Sequence, residues 1–407
     1  MHASTGAQGA AWPGTVRGLF FVAMAVFLVT IGIGIVNGLD LFDFDHDQVL
    51  THVHSGTLGW ITLSIVASAA WYARGMDRRL AWTLGVLVPA YVLSFFLAIP
   101  VIRAAAGGLL LVAILWLLAW AWRVWQARRT VTALALALGL TTFTYGAVIG
   151  VLRQVQLANG PTLFPSTADV VGAHASAMVF SYLILVAMGL LEWRVLGTAG
   201  QPRAAVAQLL LLFGGGLLIS MTLLFLTGDA IQAAGGLYLL VELVAVVIFA
   251  IRVLPAALRM DRPTAAEGHL LAAAVFVVVA TAIFLYVVFR FITDPTQTTA
   301  SGDIGGILVA SDHSAFIGVV TNLMFGQLHR LTADQRGHWS WADRVVLWGV
   351  NLGLAVFLVG LVAQSSPVKE IGSPIMGVSL LLGLAVLATR LRTSDLSAAS
   401  DLAAAEA

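Results

Sequence analysis

Twelve apolar runs of about 20 residues each, separated by short polar breaks, occupy nearly all of this chain, and that length is what a helix needs to cross the hydrocarbon core of a bilayer. They fall at roughly 17–38, 51–73, 80–102, 105–125, 131–152, 170–192, 204–226, 232–254, 268–290, 307–329, 343–363 and 374–390. Backbone amides and carbonyls find no water at that depth, so runs of this kind fold as helices. Of the 407 residues, 60% are hydrophobic and 10% are charged, whereas a water-soluble domain carries about 25% charge. The chain therefore reads as an all-α integral membrane protein surrounded by lipid bilayer. A formal charge of +1 supplies no basic stripe, which excludes nucleic-acid binding. The absence of cysteine excludes disulfides, thiolate metal sites, iron–sulfur clusters and covalently attached haem. Any metal must be held by histidine or carboxylate.

The first run is too long for a signal-peptide core and leads into Asp40, Asp43, Asp45 and Asp47 instead of a small-residue cleavage site, so it is read as a retained helix. With the N-terminus cytoplasmic, the basic residues divide 17 inside against 4 outside, the outside set being Arg103, Arg153, Arg290 and Lys369. Such a bias is the expected signature of orientation, and a miscounted helix in mid-chain would scramble it. Trp71, Trp82, Trp122, Trp125, Trp193, Trp339 and Trp341 fall at the cytoplasmic ends as an interfacial belt. Residues 1–392 form one membrane domain, and 393–407, rich in Ala, Ser and Asp, read as a disordered cytoplasmic tail.

Of nine histidines, His52, His54, His174 and His313 sit in the first two turns of the second, sixth and tenth spans, which all run from outside to inside. They share one layer of the outer leaflet. Aligning His54-Ser-Gly-Thr-Leu-Gly-Trp-Ile-Thr, His174-Ala-Ser-Ala-Met-Val-Phe-Ser-Tyr and His313-Ser-Ala-Phe-Ile-Gly-Val-Val-Thr gives three units of four spans, each with an equivalent histidine. Small residues beside them leave room for a flat cofactor or a close helix approach. Two neutral imidazoles on facing helices can bind a haem iron from above and below. His52 and His54 stand about 200° apart on a helix, so both cannot face one iron. The repeat selects His54, with His52 as a residue of the solvated interface.

Twelve helices in three pseudo-repeats, with histidines at the outer ends of helices 2, 6 and 10, resemble subunit I of the haem–copper oxidase superfamily and the shorter NnrS-type membrane haem proteins. The resemblance covers the whole membrane unit. It implies low-spin haem b between His54 and His313, and a copper ligand at His174, with His52 as a further metal-ligand candidate. It also implies a bacterial cytoplasmic membrane location, both termini inside, and redox or gas handling related to nitric oxide. The departures are specific. The seventh span has no histidine where that superfamily places two copper ligands, Ser311 stands at the high-spin haem position, and Tyr182 follows His174 by eight residues instead of four. A complete oxygen-reducing centre is therefore not expected, and what remains is an oxidoreductase-like haem protein.

Arg103, Arg153 and Arg290, expected at the ends of helices 3, 5 and 9, lie where haem propionates would emerge, and guanidinium forks suit carboxylates. Asp312 adjoins a proposed ligand. Glu242, in an otherwise apolar span, is a candidate proton carrier. The acidic cluster from Asp40 to Asp47 reads as a solvated loop, and Gly214, Gly215 and Gly216 as close packing or a bend. Two rival readings are a twelve-helix secondary transporter, with Glu242, Pro89 and Pro100 in its favour, and a copper protein without haem that uses all four histidines. No partner subunit is specified by the residues.

Overall fold

The computed structural model describes residues 12–197, 200–261, 264–294 and 302–397. Among these there is no strand, and twelve helices are long and apolar enough to span a membrane: α1 (Trp12–Gly38), α2 (His46–Ala73), α3 (Arg78–Phe96), α4 (Pro100–Arg128), α5 (Val131–Leu157), α6 (Val170–Leu196), α7 (Arg203–Phe225), α8 (Asp229–Arg259), α9 (Ala265–Thr293), α10 (Ile304–Leu331), α11 (Ser340–Val362) and α12 (Ser366–Thr393).

Local chemistry sets the ends. Asp45 caps α2 in a reciprocal box with Gln48, Asp77 caps α3, Thr130 caps α5 and Asp169 caps α6, each side chain accepting from an amide that has no partner within the helix. Pro100 opens α4 and Pro367 opens α12, where the missing N–H leaves no bond unmade. The third boundary differs from the sequence reading. The third helix stops at Phe96, not near 102, because Pro100 starts a new helix and Ile99 before it is extended. Pro100 and Arg103 thus belong to the first turn of α4.

Three spans widen beyond α geometry, each once. Ser55–Thr62 in α2, Ala177–Leu183 in α6 and Ser314–Thr321 in α10 are π-helical, a widened form that is rare and concentrated at functional sites. In α2 and α10 the widened segment begins directly after His54 and His313; in α6 it begins three residues after His174. Thr62 and Thr321 each donate a hydroxyl to the carbonyl five residues back, Thr57 at 2.9 Å and Phe316 at 2.8 Å.

These segments form the middle of the bundle, that of α10 packing against both others. Trp60 donates its indole N–H to Thr321 Oγ1 across 2.9 Å and stacks on Phe27. Gly216 in α7 is a close-approach position, since a Cβ there would stand 2.2 Å from Ser181 Cβ. The outer spans expose apolar rows, among them Leu109 and Val112 on α4 and Leu237 and Leu240 on α8, which suits lipid and not water.

The end of the bundle opposite the four histidines is tied by arginines. Buried Arg390 pairs with Asp343 at 2.9 Å and donates to the His338 carbonyl at 2.6 Å, Arg252 pairs with buried Glu192, and Arg194 donates to Gln327 at 2.7 Å. Residues 394–397, expected in a disordered tail, are held here: Arg17 donates to Ser394 O at 2.6 Å, Asp395 N–H to Asp334 at 3.1 Å, and Leu396 is buried. Residues 398–407 lie outside the described residues.

Candidate functional site

His52, His54, His174 and His313, which arrive on three separate spans, all line one cavity of about 520 Å³, within the ~300–1,000 Å³ of cofactor and ligand pockets. Its walls come from α1 through α6 and from α10 through α12.

Each imidazole is held the same way. His52 Nδ1 lies 2.9 Å from the Thr30 carbonyl on α1, and His174 Nδ1 lies 2.8 Å from the Gly146 carbonyl on α5. In both cases a glycine one turn further along the preceding span makes room for the ring: a Cβ at Gly34 would stand 3.1 Å from His52 Cε1, and one at Gly150 would stand 2.9 Å from His174 Cε1. His54 and His313 are anchored to their own helices, Nδ1 lying 2.8 Å from Leu50 O and 2.9 Å from Val309 O. A carbonyl oxygen only accepts, so Nδ1 carries the proton in all four, and in the neutral ring the lone pair is on Nε2. Among the described residues no hydrogen-bond partner occupies any of these four Nε2 atoms. A ring whose Nδ1–H is fixed by a carbonyl while Nε2 stays available is the arrangement found behind metal-ligating histidines.

The four do not converge on one point. His52 is close enough to His313 to interact with it electrostatically, and His54 stands in that relation to His174. His52 packs on α1 and His54 on α3, where it stacks on Phe95 at 3.9 Å and meets Tyr91 edge-on at 6.1 Å. His313 lies 5.0 Å from the Phe357 ring of α11. His52 is half-buried against α1, within electrostatic reach of His313, and is not a solvated interface residue. His54, expected opposite His313, turns toward α3 and α6.

The arginines separate. Arg103 is buried, pairs with Asp47 at 2.7 Å, and places its guanidinium 4.5 Å from the Phe95 ring, next to His54. Arg153 is half-buried near the end of α5, and Arg290 reaches along α9 to Tyr286 at 3.1 Å; neither lines the cavity. The basic residue that does is Lys369, the only lysine in the chain, whose ammonium is 2.8 Å from Asp40. Its solitary status was the available sequence signal. Asp312 also lines the cavity. The acidic stretch is thus not merely solvated: Asp40 pairs with Lys369, Asp45 caps α2 and Asp47 holds Arg103.

Glu242 is fully buried with neither carboxylate oxygen hydrogen-bonded, and it lies away from the cavity, near Tyr238 and Gly215. His269 and His329 are buried: His269 Nδ1 is 2.7 Å from Asn322 Oδ1, and the two imidazoles stack at 5.6 Å.

Among the described residues no group of three or more His, Asp or Glu side chains is drawn together as a bare metal ion requires. No protein-family model matches the chain, and no curated protein matches it in sequence. The fold and the cavity together define a polytopic, all-helical membrane protein of twelve spans with a histidine-lined internal cavity.

Proposed function

We propose that this protein is a b-type haem protein of the cytoplasmic membrane, with both termini inside and the histidine layer in the outer leaflet. In this reading the fold is that of haem–copper oxidase subunit I, in three repeats of four spans, without a complete haem–copper centre. The observation that carries it is the shared state of the imidazoles around one cavity, each with Nδ1–H fixed by a carbonyl and Nε2 free of any protein partner.

The donor set fits haem better than a bare ion. Two imidazoles would suffice to hold a haem, whereas a metal ion alone needs three or four protein ligands, which the described residues do not assemble. Copper therefore has no place in the proposal. His313 and, from α2, His52 would hold the group, with Gly34 and Gly38 on the cavity wall beside them. Lys369 lines the same region and is suited to a propionate carboxylate.

When bound, haem would supply a one-electron iron couple, and handling of a gas such as nitric oxide would require one of the two imidazoles to give way. The carbonyls of Thr30 and Val309 fix both rings in orientation and tautomer, and the apolar walls exclude water. The proposed work is redox or gas handling of that kind.

The test is the haem content of protein purified in detergent from haem-replete cells. The wild type is expected to carry non-covalent haem with a Soret band, and His313→Ala and His52→Ala to lose the axial pair. Uptake of a solute into proteoliposomes by a colourless protein, dependent on Glu242, would point to a transporter instead.

A further inference from the structure

His54 and His174 remain after His52 and His313 have been assigned, and they share every feature of that pair. Both rings have Nδ1 fixed to a carbonyl, at 2.8 Å in each case, both Nε2 atoms lack a protein partner, and both rings line the cavity within electrostatic reach of each other. They lie on the other side of α2, because two residues along a helix is about 200° of rotation. We infer that His54 and His174 form a second bis-imidazole site, between α2 and α6, that takes a second haem. This rests on the reading of the first pair as haem ligands.

Two independent observations point to a flat, carboxylate-bearing ligand there. One is the space: both rings line the same cavity of about 520 Å³, whose wall beside them includes the apolar side chains of Leu110, Ile114 and Phe143. The other is an orphan donor. Arg103 is 4% exposed and spends one guanidinium nitrogen on Asp47, yet its Nε is buried with no partner. A buried N–H without an acceptor is costly to leave unpaired, and a carboxylate beside it would satisfy the group. Arg103 shares Phe95 with His54, the guanidinium 4.5 Å and the imidazole 3.9 Å from that ring, so the donor is close to His54, although Arg103 is not itself among the residues that line the cavity. With only two protein donors the site suits a tetrapyrrole iron and not a free ion.

The experiment is haem stoichiometry on the full-length protein in detergent, by pyridine haemochrome assay against protein from amino-acid analysis. Two haems per chain are expected in the wild type, falling to one in His174→Ala and to one in His313→Ala, with the haem that each variant retains serving as its folding control. A wild-type ratio of one, unchanged by His174→Ala, overturns the second site and leaves the first intact. A wild type with no haem overturns the first reading as well. If His174→Ala does not accumulate, the wild-type ratio alone decides, since one haem per chain contradicts the inference and two support it.

Discussion

His174 lies against Gly150 so closely that a Cβ at the glycine would stand 2.9 Å from the ring's Cε1, while the same ring holds the Gly146 carbonyl at 2.8 Å. His52 stands in the same relation to Gly34 and Thr30. Carbonyl and glycine are four residues apart on the preceding helix in both cases, so one turn of helix supplies both the anchor and the space for an imidazole.

Filling that space should act as a ligand deletion although every histidine remains. Gly34→Val is expected to lower the Soret absorbance as His52→Ala does, and Gly150→Val as His174→Ala does. Overpacking of this kind costs about 1–3 kcal/mol, so both variants should still be recovered as monodisperse protein. Absorbance equal to wild type in both would show that the rings do not depend on these glycines.

The chain contains no cysteine, which makes single-cysteine labelling a clean test of orientation. Asp43→Cys, in the α1–α2 connection, is expected to react in intact cells with a thiol reagent that cannot cross the membrane. Gln335→Cys, between α10 and α11, should react only after permeabilisation. The reverse pattern would invert the proposed topology.

Arg252 compensates a carboxylate that is otherwise entombed: Glu192 is 1% exposed and has Arg252 as its ion-pair partner. Removing one partner of a buried pair costs about 3–5 kcal/mol. Arg252→Met is therefore expected to lower the thermal midpoint in detergent substantially, and adding Glu192→Gln should restore most of it. Equal midpoints for Arg252→Met and wild type would show that the pair contributes nothing.

The number of spans and their order were legible because about 20 apolar residues in lipid have no alternative to a helix, but several ends were not, the twelfth helix beginning at Ser366 and not near 374. The end of the third was misplaced because hydropathy runs unbroken through Phe96, Leu97, Ala98 and Ile99, and only the backbone rule at Pro100 separates α3 from α4. The histidine layer was legible from spacing alone. The pairing within it was not. His52 and His54 were correctly placed on opposite sides of α2, but which side faces α10 depends on how α2 rotates against α1, and that is set by contacts such as Thr30 with Ser55, 2.7 Å apart. The π-helical segments also have no sequence signature, because widening a helix by one residue per turn leaves composition unchanged.

The buried polar groups around Asn322 were similarly hidden, since nothing in the spacing of His269, Asn322 and His329 along the sequence marks them as packed together. Asn322 Oδ1 accepts from His269 Nδ1 at 2.7 Å, and the Asn322 amide donates to Asn351 Oδ1 at 3.0 Å. Replacing Asn322 with Leu leaves His269 and Asn351 without that partner in a dry interior, at about 1–3 kcal/mol for each orphaned group. A clear loss of thermal stability with the haem spectrum retained is expected; loss of haem with unchanged stability would instead tie this network to the cavity.

The account depends on imidazole Nε2 atoms that wait for iron. The most direct measurement is the dithionite-reduced minus oxidised absorption spectrum of the wild-type protein, purified in detergent from haem-replete cells. The account predicts the sharp α and Soret bands of six-coordinate, bis-histidine haem b; a spectrum with no haem absorbance contradicts it.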